Sequence, residues 1–353
     1  MQERLRKLAF VLEEFAGGTP GQQLLDRFLI GYPRDGSFHR LSNFQVSAWI
    51  GGGNTGLEAR ERDFGLIRPK TLEETLAGAD AVVVVGRADA VGADATLLTS
   101  VLEGAPPEAR CFAYGALAST LEAAKRLVAL ATKRLVALAT KRRVALASGT
   151  SVATTFRLPD TDIAPRTPLK EALIVAQGAS PLAELQALDG LLPVLERRRG
   201  GETGVRSVSR IEGDAVWRAG DEDVWSWPLL AAAISRSDTP QGDPVKDGRT
   251  QDLVGLGLVQ KLARHPRVSI IEHRDGLRTA LLVLDGVVAD FNFAVRAGDG
   301  AINSAQLYRP PPPTRAEFDR LAAVLEKFFT TGQEPWPVQR SLLTAEILEK
   351  LRS

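Results

Sequence analysis

The sequence predicts a two-domain α/β protein: an N-terminal Rossmann-like doubly wound parallel sheet, then a C-terminal α+β domain with a large open antiparallel sheet. Three observations predict it. With 353 residues, 44% hydrophobic and 25% charged, the chain is long enough to bury two cores. Its first half alternates short apolar runs with helical patterns, and its second half brings apolar runs in quick succession across turn dipeptides. The change of pattern places the first domain at residues 1–157 and the second at 158–353.

Residues 7–12, KLAFVL, read as a strand buried on both faces. The turn EEFAGGTPGQ and the helical pattern QQLLDRFLIGY follow, the first unit of a nucleotide-binding fold. Gly17, Gly18, Thr19 and Gly21 are its candidate cofactor-binding residues, where bare backbone approaches a pyrophosphate at a helix N-terminus. The spacing is not G-x-G-x-x-G and Pro20 lacks an amide, so a plain turn stands beside that reading. The second strand, FQVSAWI (44–50), runs into Gly51-Gly52-Gly53-Asn54, where an acid for the ribose hydroxyls is expected and absent. Arg60 or Arg62 would meet a 2′-phosphate there or stay solvated.

A helix at 71–77 precedes AVVVV (81–85), a central parallel strand closed by Gly86 and Arg87, the other candidate cofactor contacts. A helix at 95–102 and the strand RCFAY (110–114) come next. Residues 125–148 then repeat KRLVALAT, KRLVALAT, KRRVALAS. A period of eight rotates a helix by about 80° per copy, so the repeat holds no single apolar stripe. The first two copies extend one helix beginning near Thr120, and the third supplies a strand.

Pro159, Pro165 and Pro168 mark a linker. A strand at 172–176, a helix at 181–199 and a long strand at 205–217, expected at the centre of the second sheet, follow. Residues 200–252 hold three of the five tryptophans, Trp217, Trp225 and Trp227. Glu212 and Asp214 of this stretch would face a substrate cleft or anchor buried hydrogen bonds. Strands at 267–273, 277–284, 287–295 and 301–308 are joined partly by Arg274-Asp275-Gly276 and Asp285-Gly286. An amphipathic helix at 314–330 is expected to cover a face of this sheet, with a last helix at 341–351.

Against 44 Lys+Arg stand 43 Asp+Glu, a net charge of +1 that provides no whole-molecule field for nucleic acid or an acidic membrane. The run Glu196-Arg197-Arg198-Arg199 is either a local anion patch or a basic last helical turn. One cysteine and three histidines without ligand spacing point away from disulfides and metal. The N-terminal stretch lacks signal-peptide character, so a cytoplasmic protein with a small-molecule ligand is expected. An open sheet with one uncovered face predicts a homo-oligomer through the C-terminal sheet.

The segments LLDRFLIGYP (24–33), TLEETLAGADAVVVVG (71–86), residues 196–252 and FTTGQEPWPVQRSLLTAEILE (329–349) resemble the glucose-fructose oxidoreductase/inositol dehydrogenase/MocA (Gfo/Idh/MocA) family, in a degenerate branch. The resemblance implies NAD or NADP on the first domain and a sugar, polyol or related small alcohol as substrate. It also implies a lysine in a Glu-Lys-Pro motif and, early in the second domain, a histidine near an acid. Here Tyr114, Gly115 and Ala116 stand in the motif frame, Gln186 stands where the histidine belongs, and Asp189 is the nearby acid. The candidate catalytic residues are therefore Tyr114 and Asp189, and the candidate substrate cleft is Gln186, Glu212 and Asp214. His273 and Asp214 complete the groups from which a rearranged acid–base set would be drawn. Two functions remain open at this point: an NAD(P)-dependent oxidoreductase, or a non-catalytic descendant that binds a small molecule or a partner chain.

Overall fold

A computed structural model describes residues 4–137, 145–178, 180–239 and 252–352. The chain divides into two compact units, Met1–Ser151 with Pro310–Ala345, and Val152–Arg309 with Glu346–Ser353.

The first unit contains, in order, β1 (Arg6–Leu12), α1 (Pro20–Leu29), a ribbon of β2 (Tyr32–Arg34) and β3 (Ser37–His39), β4 (Phe44–Ile50), α2 (Leu57–Phe64), α3 (Leu72–Leu76), β5 (Ala81–Val85), α4 (Ala95–Gly104), β6 (Arg110–Tyr114), α5 (Leu121–Ala137) and β7 (Leu146–Gly149). Five strands pair in parallel in the order β4-β1-β5-β6-β7. Ile67 adds a single-residue bridge to Ser47 on the outer side of β4, and the Ala48 amide donates to the Ile67 carbonyl at 2.9 Å. Counted with that bridge, the order by chain position is 3-2-1-4-5-6, and the crevice where the order reverses lies at the carboxyl ends of β1 and β5. Every residue of β5 is buried, as its five-residue apolar run requires at the centre of a parallel sheet.

Within the eight-residue repeat, α5 covers the first copy and enters the second, and the third copy supplies β7. Residues 138–144 lie outside the described residues.

The second unit contains β8 (Phe156–Leu158), β9 (Leu169–Ala176), α6 (Pro181–Leu195), β10 (Val205–Glu212), α7 (Ala215–Asp221), α8 (Trp227–Ile234), α9 (Leu258–Leu262), β11 (Arg264–His273), β12 (Arg278–Asp285), β13 (Phe291–Ala297) and β14 (Ile302–Tyr308). Its sheet has the order β10-β11-β12-β9-β13-β14-β8, antiparallel except for the β12–β9 pair.

Three expectations are corrected here. The stretch predicted as a central strand forms the edge strand β10, which stops at Glu212, and Ala215–Asp221 is a helix. Within β10 only Val205 is buried, and Gly213 at φ 63 ends it with a turn that other residues rarely adopt. The sheet face predicted to be bare is covered by the chain itself. Leu173 and Val175 on one face of β9 pack with Leu229, Leu230 and Ala233 of α8. Ala172, Ile174 and Ala176 on the other face are equally buried, with α6 as the second helix in contact with β9.

The third correction concerns the late amphipathic helix, α10 (Glu317–Thr331), which belongs to the first unit, as do the first eight residues of α11 (Val338–Lys350). Arg27 of α1 reaches Asp319 at 2.6 Å and the Thr314 carbonyl at 2.7 Å. Arg110 donates to the Phe329 carbonyl at 2.6 Å, and the Trp336 indole donates to the Ser148 carbonyl at 2.8 Å. The apolar stripe of Phe318, Leu321, Leu325 and Phe328 demands burial but does not specify against which sheet.

Candidate functional site

The crevice at the carboxyl ends of β1 and β5 is where a doubly wound sheet binds its ligand. Two carboxylates already lie across it. Glu14 Oε1 accepts the Ala88 amide at 2.5 Å, and Glu13 Oε1 accepts the Asp94 amide at 2.5 Å. Both amides belong to the loop after β5, whose Gly86 and Arg87 are candidate cofactor contacts. A Cβ on Gly86 would lie 2.5 Å from the Gly92 carbonyl oxygen, so this glycine serves the close packing of its own loop. Arg87 is exposed and pairs with Asp89 at 3.3 Å.

The glycine turn before α1 is mostly self-satisfied. The Thr19 hydroxyl caps α1 by accepting the Gln22 amide at 3.3 Å, while the Thr19 amide donates to the Ala16 carbonyl. The Gly18 amide donates to Gln22 Oε1 at 3.0 Å, and Pro20 has no amide to offer. The Gly17 and Gly21 amides have no partner among the described residues. Space is open above Gly17 and Gly18, where a Cβ would meet nothing within 4 Å, whereas Gly21 lets α1 pack 3.2 Å from the Glu14 carbonyl oxygen.

At the end of β4, where a ribose acid is expected, backbone closes on backbone. The Phe15 amide donates to the Gly53 carbonyl and the Thr55 amide to the Phe15 carbonyl, both at 2.8 Å. Buried Phe15 lies under the Arg60 guanidinium, 5.3 Å away, and Arg60 is held by both oxygens of Asp26 at 3.0 and 2.7 Å. Arg60 is thus already paired, and Arg62 pairs with Asp63 at 2.8 Å.

Tyr114 ends β6 with its ring stacked on Phe318 at 5.8 Å and its hydroxyl 3.4 Å from Ser151 Oγ. Burial holds its hydroxyl above the ordinary phenol range, opposed by the hydrogen bond with Ser151. A general acid at neutral pH needs the opposite shift. A Tyr114→Phe variant is therefore expected to keep its fold, losing about 0.5–1.5 kcal/mol for one hydrogen bond, as urea denaturation would measure.

In the second unit the candidate residues stand on different elements. Asp189 is buried within α6, and Gln186 accepts from Arg309 at 3.1 Å, whose guanidinium stacks over Phe291 at 4.7 Å. Glu212 and Asp214 are both exposed, one at the end of the edge strand and one at the start of α7, so of the two expectations for them the one of buried hydrogen bonds is corrected. The three tryptophans pack on one another, Trp225 and Trp227 at 4.5 Å and Trp217 and Trp227 at 6.0 Å. Gly220 leaves room for both of the first pair, and the Trp225 indole donates to the Val216 carbonyl at 2.8 Å. They join α7 to α8 and build that unit's core.

One buried polar network escaped the sequence. Arg198, with 2% of its side chain exposed, donates to Asp275 at 2.7 Å, Glu202 at 3.1 Å and the Leu195 carbonyl at 3.0 Å. His273, 1% exposed, places Nδ1 3.3 Å from Glu202 and Nε2 3.1 Å from the Thr279 hydroxyl. The basic run is thus no anion patch: Arg198 turns inward, and Arg197 holds the Ile163 carbonyl at 2.8 Å and Asp162 at 3.0 Å. Burial alone would raise the Glu202 carboxyl, but hydrogen bonds from His273 and Arg198 outweigh it and bring it to about 2. A depressed carboxyl contributes stability that is full above its unfolded value, near 4.5, and is lost as pH falls toward 2. A Glu202→Gln variant is expected to be less stable at neutral pH and to show a flatter loss of stability across that window.

Among the described residues no group of three or more His, Cys, Asp or Glu side chains could hold a metal ion, and no helix is long and apolar enough to cross a membrane.

No protein-family model matches the chain, and no curated protein matches it in sequence. Solved structures do match its fold. GenD2 from gentamicin A biosynthesis, in complex with NAD, aligns at a TM-score of 0.60 and 14% identity, over 99% of this chain and 94% of its own. Myo-inositol dehydrogenase from Lactobacillus casei, with NAD(H) and myo-inositol, aligns at 0.55 and 14%, over 98% and 93%. Biliverdin reductase from Synechocystis sp. PCC 6803, with biliverdin and NADP+, aligns at 0.53 and 12%, over 98% of each chain. The fold is thus the one shared by inositol dehydrogenases of the Gfo/Idh/MocA type and related NAD-binding oxidoreductases, as the sequence resemblance implies.

Proposed function

We propose that this chain is a non-catalytic descendant of the dehydrogenase fold, a small-molecule or partner-binding protein that performs no hydride transfer. The observation that carries the reading is the pair Glu13 and Glu14, whose carboxylates take the Ala88 and Asp94 amides at the switch-point crevice. A dinucleotide diphosphate in that crevice would meet two carboxylates beside the Gly17 and Gly21 amides, which are free among the described residues. The self-satisfied turn at Gly18, Thr19 and Gln22 and the paired Arg60 point the same way. The residues present do not fit the cofactor, so no reaction step is drawn through NAD or NADP. Gly115 standing where the resemblance implies a lysine accords with this, since losing a general acid–base group costs roughly 10²–10⁴ in rate. Incubated with NAD⁺ or NADP⁺ and myo-inositol, the protein is expected to form no reduced nicotinamide above the rate without protein. Protein-dependent formation that follows enzyme concentration would overturn the reading.

A second reading, an NAD(P)-dependent oxidoreductase acting on a sugar, polyol or related alcohol, is favoured by the open space above Gly17 and Gly18 and by the cofactors of the fold's neighbours. In that reading Gly17, Gly18, Thr19, Gly21, Gly86 and Arg87 hold the cofactor, Tyr114 or Asp189 moves the proton, and Gln186, Glu212 and Asp214 contact the substrate. We place the chain in the cytoplasm. A homo-oligomer through the C-terminal sheet would use the exposed edge strand β10, because both faces of the middle strands are already covered. Light scattering of Val208→Pro beside the wild type tests that arrangement: an oligomer built on this edge loses subunits, and an unchanged mass rules the edge out.

A further inference from the structure

At the end of the second sheet where β9 and β12 begin, four side chains form an in-register row on one face: Glu272 of β11, Arg278 of β12, Glu171 of β9 and Arg296 of β13. Glu171 joins the two arginines, accepting from Arg278 at 2.6 Å and Arg296 at 3.1 Å. Arg296 also donates to Ser226 Oγ at 3.0 Å, and Ser207 of β10 donates to Glu272 at 2.8 Å. Cross-strand alternation of charge is an ordinary way to stabilise a sheet, and these two acids balance these two bases. It does not account for Lys170 and Arg206. Both are exposed and neither has an acidic partner among the described residues. Together the six charged groups line a depression of about 400 Å³, bounded also by His273, Gly276 and Leu277. Four bases against two acids leave a formal excess of two positive charges.

We propose that this depression binds the phosphoryl group of a small phosphate monoester. The excess of two charges matches a phosphate dianion, and Glu171 fixes two guanidinium forks in place before the ligand arrives, which lowers the ordering cost of binding. Lys170, a point charge on a flexible stem, and Arg206, a planar guanidinium fork, close on the anion from the rim. A volume of about 400 Å³ suits a ligand of a few carbons beyond the phosphate. Every lining residue belongs to the second unit, so the inference stands apart from the question of cofactor in the first.

The test is calorimetric titration of the full chain with glycerol 3-phosphate and with inorganic phosphate, in a buffer free of other oxyanions and at matched chloride strength. Saturable binding of both is expected. Lys170→Ala and Arg206→Ala should each weaken it roughly tenfold, the loss of one charge-assisted contact, without lowering thermal stability. No saturable binding at millimolar ligand, or a double variant that binds like the wild type, would overturn the proposal.

Discussion

Replacing Arg198 by alanine is expected to destabilise the second unit by about 3–5 kcal/mol, the typical cost of removing one partner from a buried charge cluster. The guanidinium is 2% exposed and ties Glu202, Asp275 and the last turn of α6 to one point. Its removal leaves the Glu202 carboxylate, 18% exposed, with the His273 ring and the Thr203 and Gly204 amides against it. The two sites are also expected to couple. Adding Glu202→Gln to Arg198→Ala should recover part of the loss, because a neutral amide replaces the stranded charge. Urea denaturation of the wild type, both single variants and the double variant measures this coupling, and strict additivity would remove Glu202 as the principal partner.

Gly92→Ala is the second large effect. A Cβ there would enter the van der Waals shell of the Ala116 carbonyl oxygen and lie 3.2 Å from the Ala116 carbonyl carbon and amide nitrogen. All three are backbone atoms, so no side chain can swing aside. The loops after β5 and β6 meet at this point, where the Ala116 amide donates to the Val91 carbonyl at 2.7 Å and Gly115, at φ 98, faces the same carbonyl. Overpacking of this kind costs about 1–3 kcal/mol, and the upper part of that range is expected because the obstruction is rigid. Hydrogen exchange should locate the loss at the Ala116 amide, whose protection depends on the two loops staying in contact.

Much of the fold is legible in the sequence because its signals are local. AVVVV specifies a strand buried on both faces, the pattern QQLLDRFL specifies a helix, and Asp285-Gly286 sits at the turn that ends β12. What the sequence conceals depends on partners far along the chain. VRSVSRIE reads as a strand, but its edge position is set by β11, more than fifty residues later. The stripe of α10 demands a sheet without naming it. The glycine turn poses the same problem at the candidate site. Gly17, Gly18 and Gly21 read as a phosphate cradle, yet the carboxylates lying across the crevice belong to Glu13 and Glu14, and their donors stand 81 and 74 residues downstream. Two acids at the end of a strand look solvated in a sequence, and only the closing of the sheet brings the amides to them.

The central claim, that this crevice is closed to a dinucleotide by the chain's own carboxylates, is tested most directly by thermal denaturation with millimolar NADH and, separately, NADPH. A ligand that binds only the native state must raise its stability, by about 2.7 kcal/mol at a hundred times its dissociation constant. The account predicts no rise in the melting temperature with either cofactor. A saturable rise with either one, abolished by bulky substitution at Gly18, where the open space lies, would contradict it.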